Sequence, residues 1–356
     1  MFLCFIGIAV AGAIGLGFYA WREIGQRPSA EEMRQYEKLP YFKDGKFQSP
    51  QKMILQPDKV RNGPAGFSRM LLPSKFAPEV QLPQVSLTKD SFASSPSDYA
   101  LYWLGHSAVV LELAGSRIIF DPVLGNAAPI PFAVPRYGNA PITREELPET
   151  DYVIITHNHY DHLERKTVQA LKKAHFIVPL GVGAALRGWG IPAENITELG
   201  WGDVFENGKI KITAETAQHY SGRAKLASNE TLWNSYIITA AGKNIYWSGD
   251  SGYGAHFKQI GDKYGPFDFA SLEIDAWNPG WPNIHLFPEE AVKAAQDLNT
   301  KQILPLHWAV FDLALHPWHE SVDMLIDNAA KTNIKIMTPK MGERINPDAF
   351  DSQKWW

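Results

Sequence analysis

Cysteine is nearly absent from this chain of 356 residues. Cys4 is its single cysteine, which excludes an intrachain disulfide and a cysteine-based metal cage. Charge of one sign is lacking as well: 34 Lys and Arg against 38 Asp and Glu leave a net charge of −4 with His neutral. That excludes nucleic acid as the main partner, because neutralising phosphates needs a basic surplus or stripe. No internal repeat and no low-complexity tract is found. With 45% hydrophobic and 20% charged residues, the composition is that of a folding chain rather than a disordered one. In place of Cys there are eleven His. A transition metal in the folded body must be held by His and carboxylates.

Phe2 to Ala20 is an uncharged run of 19 residues. As a helix it is about 28 Å long, close to the hydrocarbon thickness of about 30 Å. Gly is tolerated in membrane spans, and Tyr19 and Trp21 stand where an interfacial aromatic belt belongs. A cleavable signal peptide is the competing reading. The run's length and the absence of Lys or Arg before it weigh against cleavage. Arg22, Arg27 and Arg34 follow the run. By the positive-inside rule they put the body on the cytoplasmic side, with the periplasmic side as the alternative.

Three parts are expected: a membrane anchor helix at 1–22, a Pro-rich arm at 23–98 and a catalytic domain at 99–347. Proline recurs too often in the arm, from Pro28 to Pro96, for a helical domain; only 31–39 reads as a short helix. From Tyr99 onward β-rich runs alternate with helical patterns. LYWLGHSAVVLELAG and SRIIFDP read as consecutive strands turning at Ala114-Gly115-Ser116. Further strands are expected at 151–156, 175–180, 209–216, 267–274 and 302–307, with a hairpin at 235–250 turning at Gly242. Helices are expected at 164–173, 183–188, 288–298 and 318–330. Pro288 and two Glu make the third of these a strong helix start. The mixture of hairpins and βα units excludes a simple parallel doubly wound sheet.

The chemistry concentrates in Thr156-His157-Asn158-His159-Tyr160-Asp161-His162, directly after the strand DYVIIT. His157 and His159 alternate and can point to one side. Asp161 and His162 follow one turn later. A chain bent there can serve two metal ions, and imidazole with carboxylate suits Zn, Fe or Mn. His219, Asp250 and His307 each stand just past another expected strand. Together these are seven ligand-type side chains from four strand ends, where active sites of layered α/β folds form.

The pattern His-x-His-x-Asp-His, with single His, Asp and His at 219, 250 and 307, resembles the metallo-β-lactamase superfamily over about Tyr99 to Pro347. WLGHSAVVLEL, IIFDPV, AQHYSGR, SGDSGYG, HLFPEEAV and LHWAVFDLALHPW are similar to its branch of N-acyl-phosphatidylethanolamine-hydrolysing phospholipases D. The ascorbate-6-phosphate lactonases are a more distant resemblance. The resemblance implies an α/β fold, an αβ/βα four-layer sandwich, preceded here by the transmembrane helix. It implies two Zn2+, with Mn2+ or Fe2+ as alternatives. His157, His159 and His219 would hold one ion; Asp161, His162 and His307 the other; Asp250 would bridge them. Asp275 stands where a Gly is usual in the eukaryotic lipid enzymes, which puts the acyl-chain or head-group contacts in doubt rather than the metals.

Such a pair of ions, about 3.5–4 Å apart, lowers the pKa of a bridging hydroxide that attacks phosphorus or a carbonyl carbon. Asp161 can accept a hydrogen bond from that hydroxide, and Asp250 orients the pair. His285, ahead of the helix at 288, is the candidate for substrate contact or proton donation. Tyr160 reads as packing and His106 as a residue behind the metals or in the core. His316 and His319, with Trp318, are minor candidates for the cavity mouth. His175 and His256 read as ordinary positions. Gly249, Gly252 and Gly254 allow either a ligand's close approach or a tight turn. Tryptophans at 277, 281, 308 and 318 suit an apolar substrate or plain core packing. The expected activity is that of a membrane-anchored zinc phosphodiesterase of phospholipase D type, acting on N-acyl-phosphatidylethanolamine or a related phospholipid. A lactonase or soluble-substrate phosphodiesterase on the same metals is the alternative, and a non-enzymatic metal-binding protein the third reading. The oligomeric state is left open.

Overall fold

A computed structural model of the chain describes residues 2–62, 74–93, 95–130, 132–224 and 228–356, with only the backbone of 2–11 and 13. Helix α1 is Phe2–Ile24. Among the described residues no helix is long and apolar enough to cross a membrane. Most side chains of the 2–20 run lie outside the described set, so the expected span gains no support here and stays a proposal. Helix α2 (Ala30–Tyr36) begins where the arm's one helix was expected. Ser29 and Glu32 cap it reciprocally, the Ser29 hydroxyl accepting from the Glu32 N–H and the Glu32 carboxylate from the Ser29 N–H. A small hairpin, β1 (Phe42–Lys43) and β2 (Lys46–Phe47), follows. Tyr36, Phe42 and Phe47 bury against Ala217, Leu232 and Trp233. The arm is thus packed on the body rather than detached.

The body begins with β3 (Tyr99–Gly105), β4 (Ala108–Leu113), β5 (Ser116–Phe120) and β6 (Tyr152–Ile154). Helix α3 (Arg165–Ala170), β7 (His175–Pro179), α4 (Val182–Gly188) and β8 (Ile196–Leu199) come next. The second sheet is built from β9 (Val204–Glu206), β10 (Lys211–Glu215), β11 (Ser235–Ala240), β12 (Lys243–Trp247), helix α5 (His256–Tyr264), β13 (Phe269–Glu273), α6 (Pro288–Asp297), β14 (Gln302–Leu306), α7 (Glu320–Ala329) and β15 (Lys335–Ile336). Strand β16 (Arg344–Ile345) returns to the first sheet. The two sheets run β16-β3-β4-β5-β6-β7-β8 and β15-β14-β13-β12-β11-β10-β9. The expected hairpins form because Ala114-Gly115 and Ala241-Gly242 both take left-handed backbone. That turn matches the twist of the strands on either side.

The main core lies between the sheets, where the Phe120 ring stacks on Trp247 at 3.7 Å. Strand alternation sends the next residue outward: Tyr246 meets Phe257 of α5 on the outer face. Helices α3 and α4 cover the outer face of the first sheet through Val168, Val182, Ala185 and Leu186. The result is four layers. Helix α5 was not expected from the sequence, and Gly261 within it explains why. A Gly weakens the helical signal. Yet a Cβ there would come within 2.0 Å of the Asp297 carbonyl oxygen at the end of α6, so close helix approach requires it.

The topology also fixes the site's position. Strands β3, β5, β6 and β7 run one way in the first sheet, and β10, β12, β13 and β14 share one direction in the second. The segments that leave their carboxyl ends meet at one edge of the sandwich.

Candidate metal centre

Each chemical side chain of this edge stands within a few residues of a strand end. His106 follows β3, Asp121 follows β5, the 157–162 motif follows β6, His219 follows β10, Asp250 follows β12 and His307 follows β14. His106, Asp121 and His307 all have positive φ, at 54°, 38° and 73°. Left-handed backbone at residues with a Cβ is strained. Here it turns the chain abruptly at the end of three different strands.

All seven expected ligands come together. His157 Nε2 and His219 Nε2 lie 2.9 and 3.3 Å from His159 Nδ1, and 3.7 and 3.6 Å from Asp250 Oδ2. On the other side, His162 Nε2 and His307 Nε2 lie 3.5 and 3.2 Å from Asp161 Oδ2. Both also lie 3.1 Å from Asp250 oxygens. Asp250 therefore touches both sets, as a bridging carboxylate must. Five imidazoles and two carboxylates thus crowd into one buried spot. Buried His162 Nε2, His307 Nε2 and Asp250 Oδ1 have no hydrogen-bond partner, which buried polar atoms rarely tolerate. Divalent cations satisfy all three at once, and the donor set fits them.

Two of the outward nitrogens are held from behind. His162 Nδ1 lies 2.8 Å from Asp121, which also accepts from the Thr156 N–H at 2.8 Å and hydroxyl at 2.6 Å. His219 Nδ1 lies 3.1 Å from the Ile284 carbonyl. Such partners fix the tautomer that leaves Nε2 free for a metal. Charge follows the same division. Burial pushes His157 well below the ordinary imidazole range and holds His159 and His219 at about 3, so these three are neutral donors. Around His162 and His307 burial is outweighed, above all by Asp250. His162 is raised well above its ordinary value and His307 to about 10.

A cavity of about 450 Å³ opens over this cluster. Its apolar wall includes Leu55 from the arm, with Tyr220, Trp281, Ile284 and Leu313. The arm is held there through its own N–H groups: Ile54 donates to the Asn283 side-chain Oδ1 at 2.8 Å and Gln56 to the Gly280 carbonyl at 2.7 Å. His285 also lines the cavity. Tyr160 lines it too while donating to the Arg223 carbonyl at 2.7 Å.

Other expected placements change. His316 and His319 do not line the cavity: His316 is buried 3.0 Å from Asp275, and His319 is exposed beside Asp323. Their segment turns inward because the Asp275 carboxylate, buried and bonded to Ser321 at 2.7 Å, needs a counter-charge. Of the four tryptophans only Trp281 lines the cavity; Trp277 and Trp308 are core. His256 is buried with its Nε2 3.0 Å from the Ser251 hydroxyl. Gly252 answers the choice between ligand approach and turn: the Asn283 backbone already stands 2.2 Å from where its Cβ would be.

His106, read as a residue behind the metals or in the core, has its Nε2 3.1 Å from Asp161. Two further neighbours of the site, Asp121 and Glu273, were not singled out in the sequence. Asp121, one residue past the end of β5, carried the same kind of signal as Asp250, three residues past β12. Glu273 is a carboxylate in the otherwise buried strand FASLE and is itself 1% exposed, a placement that is rare without a partner.

A family profile described as the β-lactamase superfamily domain matches residues 116–308. That span runs from β5 to just past His307 and takes in all seven clustered residues. The chain belongs to the metallo-β-lactamase superfamily. It is a metal-dependent hydrolase of that superfamily, with its fold and its His/Asp clusters. An uncharacterized protein of Mycobacterium tuberculosis is 39% identical over 274 residues, 74% of this chain and 73% of that protein. The N-acyl-phosphatidylethanolamine-hydrolyzing phospholipase D 1 of Caenorhabditis elegans is 32% identical over 283 residues, 74% of this chain and 79% of that one. Among solved structures, an isothiocyanate hydrolase from Delia radicum gut bacteria aligns with a TM-score of 0.57 at 22% identity, covering 72% of this chain and 100% of that one. That likeness speaks to the fold alone.

Proposed function

We propose that this hydrolase is a membrane-anchored zinc phosphodiesterase of phospholipase D type, acting on N-acyl-phosphatidylethanolamine or a related phospholipid. The observation that carries the reading is the cluster of seven His and Asp at the floor of a cavity with an apolar wall. The similarity to the nematode phospholipase D supports the choice of substrate.

Divalent ions, when bound, activate water and neutralise anionic oxygens of a phosphodiester. His157, His159 and His219 would hold one ion and Asp161, His162 and His307 the other, with Asp250 within reach of both. Leu55, Tyr220, Trp281, Ile284 and Leu313 accept apolar parts of the substrate and exclude water. His285 faces the same space and is placed to contact the leaving group. The helix α1 holds the catalytic edge near a bilayer: Glu23, at its end, is buried against Arg165 at 2.7 Å. Residues 1–22, 23–98 and 99–347 then act as anchor, arm and catalytic domain, with the body on the cytoplasmic side.

The test is incubation of the zinc-loaded full chain with N-acyl-phosphatidylethanolamine in mixed micelles, followed by mass spectrometry. Equal amounts of N-acylethanolamine and phosphatidic acid are expected. Intact lipid alongside hydrolysed small lactones contradicts the reading. Membrane pelleting of the full chain, lost when residues 2–21 are removed, tests the anchor separately.

A further inference from the structure

We propose that a polar cavity beside the end of α1 binds a phosphate-bearing anion, at a site separate from the metal centre. The cavity has a volume of about 170 Å³ and lies between α1, the loop after β5 and helix α3. Tyr19 and Glu23 line it from α1, Asn126 from the loop and Lys166 from α3. Arg144, Glu164 and Arg223 complete its charged lining. Tyr160 lines this space and the catalytic cavity alike, so the two share a wall.

The charges around this space do not balance. The Glu23 carboxylate is bonded to Arg165 at 2.7 and 2.9 Å, and the Glu164 carboxylate pairs with Arg144. Each acid is answered by an arginine, which leaves Arg223 and Lys166. Arg223 is 7% exposed, and among the described residues it donates only to backbone carbonyls, with the Tyr160 ring 4.0 Å from its guanidinium. Its Nη2 carries two hydrogens and bonds one acceptor, the Glu23 carbonyl, so one N–H is left over. Lys166 is exposed and meets only the Tyr19 ring, at 5.7 Å, among the described residues. A buried cation without a counter-charge is costly. Carbonyl dipoles and an aromatic face soften that cost without cancelling the charge; an anion in the cavity cancels it.

A phosphate group matches this lining, because guanidinium and ammonium bind its oxygens through charge-assisted hydrogen bonds. A space of this size takes a phosphate and leaves acyl chains outside. Two sources supply the group, a soluble phosphate ester and the head group of an anionic lipid. The position favours the head group, since Phe18 and Trp21, 58% and 66% exposed, flank Tyr19 on α1 and suit an interface between water and lipid. That choice of source rests on the anchor proposed above; the charge argument for the site does not.

The experiment places the zinc-loaded full chain in phosphatidylcholine nanodiscs with and without phosphatidylglycerol. An amine-reactive reagent labels the lysines, and mass spectrometry reads the rate at each. Lys166 is expected to label about 5-fold more slowly when phosphatidylglycerol is present, while Lys172 and Lys173, exposed on the same segment but outside the cavity, hold their rates. A second arm adds glycerol phosphate to the chain in detergent micelles. Protection of Lys166 there supports the site with a soluble ester as its source, and protection in the nanodiscs alone supports it with the head group. Asn126→Asp keeps the shape and adds a negative charge to the lining, so the protection is expected to vanish with zinc content unchanged. No protection of Lys166 in either arm overturns the proposal. So does equal protection of all three lysines, which marks a general attraction to a negative surface, or full protection in Asn126→Asp. Labelling needs no turnover, so a wild type that leaves the phospholipid intact removes the proposed substrate and leaves this test standing.

Discussion

Replacing Arg223 by Met removes the group that ties helix α1 to the metal-binding loop. The Arg223 guanidinium is buried and donates in two directions. Nη2 and Nε bond the Glu23 carbonyl at 2.7 and 3.1 Å, while Nη1 bonds the carbonyls of Asn158 and Leu163 at 2.9 and 2.8 Å. Burial lowers its pKa to about 10, so it stays charged at neutral pH. Met fills similar volume and donates nothing, leaving three carbonyls unsatisfied. At about 1–3 kcal/mol for each orphaned buried group, the upper bound is large. A neighbouring polar cavity of about 170 Å³, lined in part by Arg223, lets water satisfy some of them. A loss near the low end follows, about 3–5 kcal/mol. Urea unfolding of the metal-free chain measures it, and zinc titration reads the loop. Glu23→Ala is the control: it breaks the pair with Arg165 but keeps the residue 23 carbonyl, so zinc affinity should fall in Arg223→Met and hold in Glu23→Ala. A loss below about 1 kcal/mol in Arg223→Met with wild-type zinc affinity refutes the reasoning.

Asp161→Ala and His162→Ala should each abolish hydrolysis and lower zinc toward one ion per chain by mass spectrometry of metals; two zincs with full activity in both would sink the assignment. Asp121→Asn leaves the metal ligands in place but turns an amide toward His162 Nδ1, so zinc affinity should drop about 10- to 100-fold in competition with a chelator; wild-type affinity contradicts this. Zinc uptake must also displace protons. His307 is raised to about 10 and His162 well above its ordinary value in the metal-free chain, while ligation needs both neutral. Calorimetry in buffers of different ionisation enthalpy should therefore show proton release at pH 7, and zinc affinity rising with pH; release of none contradicts the cluster's charge state.

The metal centre was legible because its ligands carry a local signal: four donors in six positions after a strand, and single donors after three others. Adjacency in sequence does not show what lies behind a ligand. Asp121 and Thr156 are 35 residues apart and meet only because β5 and β6 pair in parallel. Glu273 looked like one polar residue in a strand until Ser251 and Leu286 were brought to it. His316 was misplaced for the same reason: its partner, Asp275, lies 41 residues upstream by number, across the β13 to α7 segment. The hairpins and long amphipathic segments were readable from period and turn chemistry. Strands β8, β9, β15 and β16 were not, being short edge pieces whose pairing is decided by the sheet. Helix α5 was hidden by the Gly that its packing requires.

The most direct measurement is a crystal structure of the zinc-loaded full chain with anomalous data at the zinc edge. Two peaks are predicted, one enclosed by His157, His159 and His219 and the other by Asp161, His162 and His307, with Asp250 touching both. A single peak, or two peaks that leave Asp250 unligated, would contradict the account.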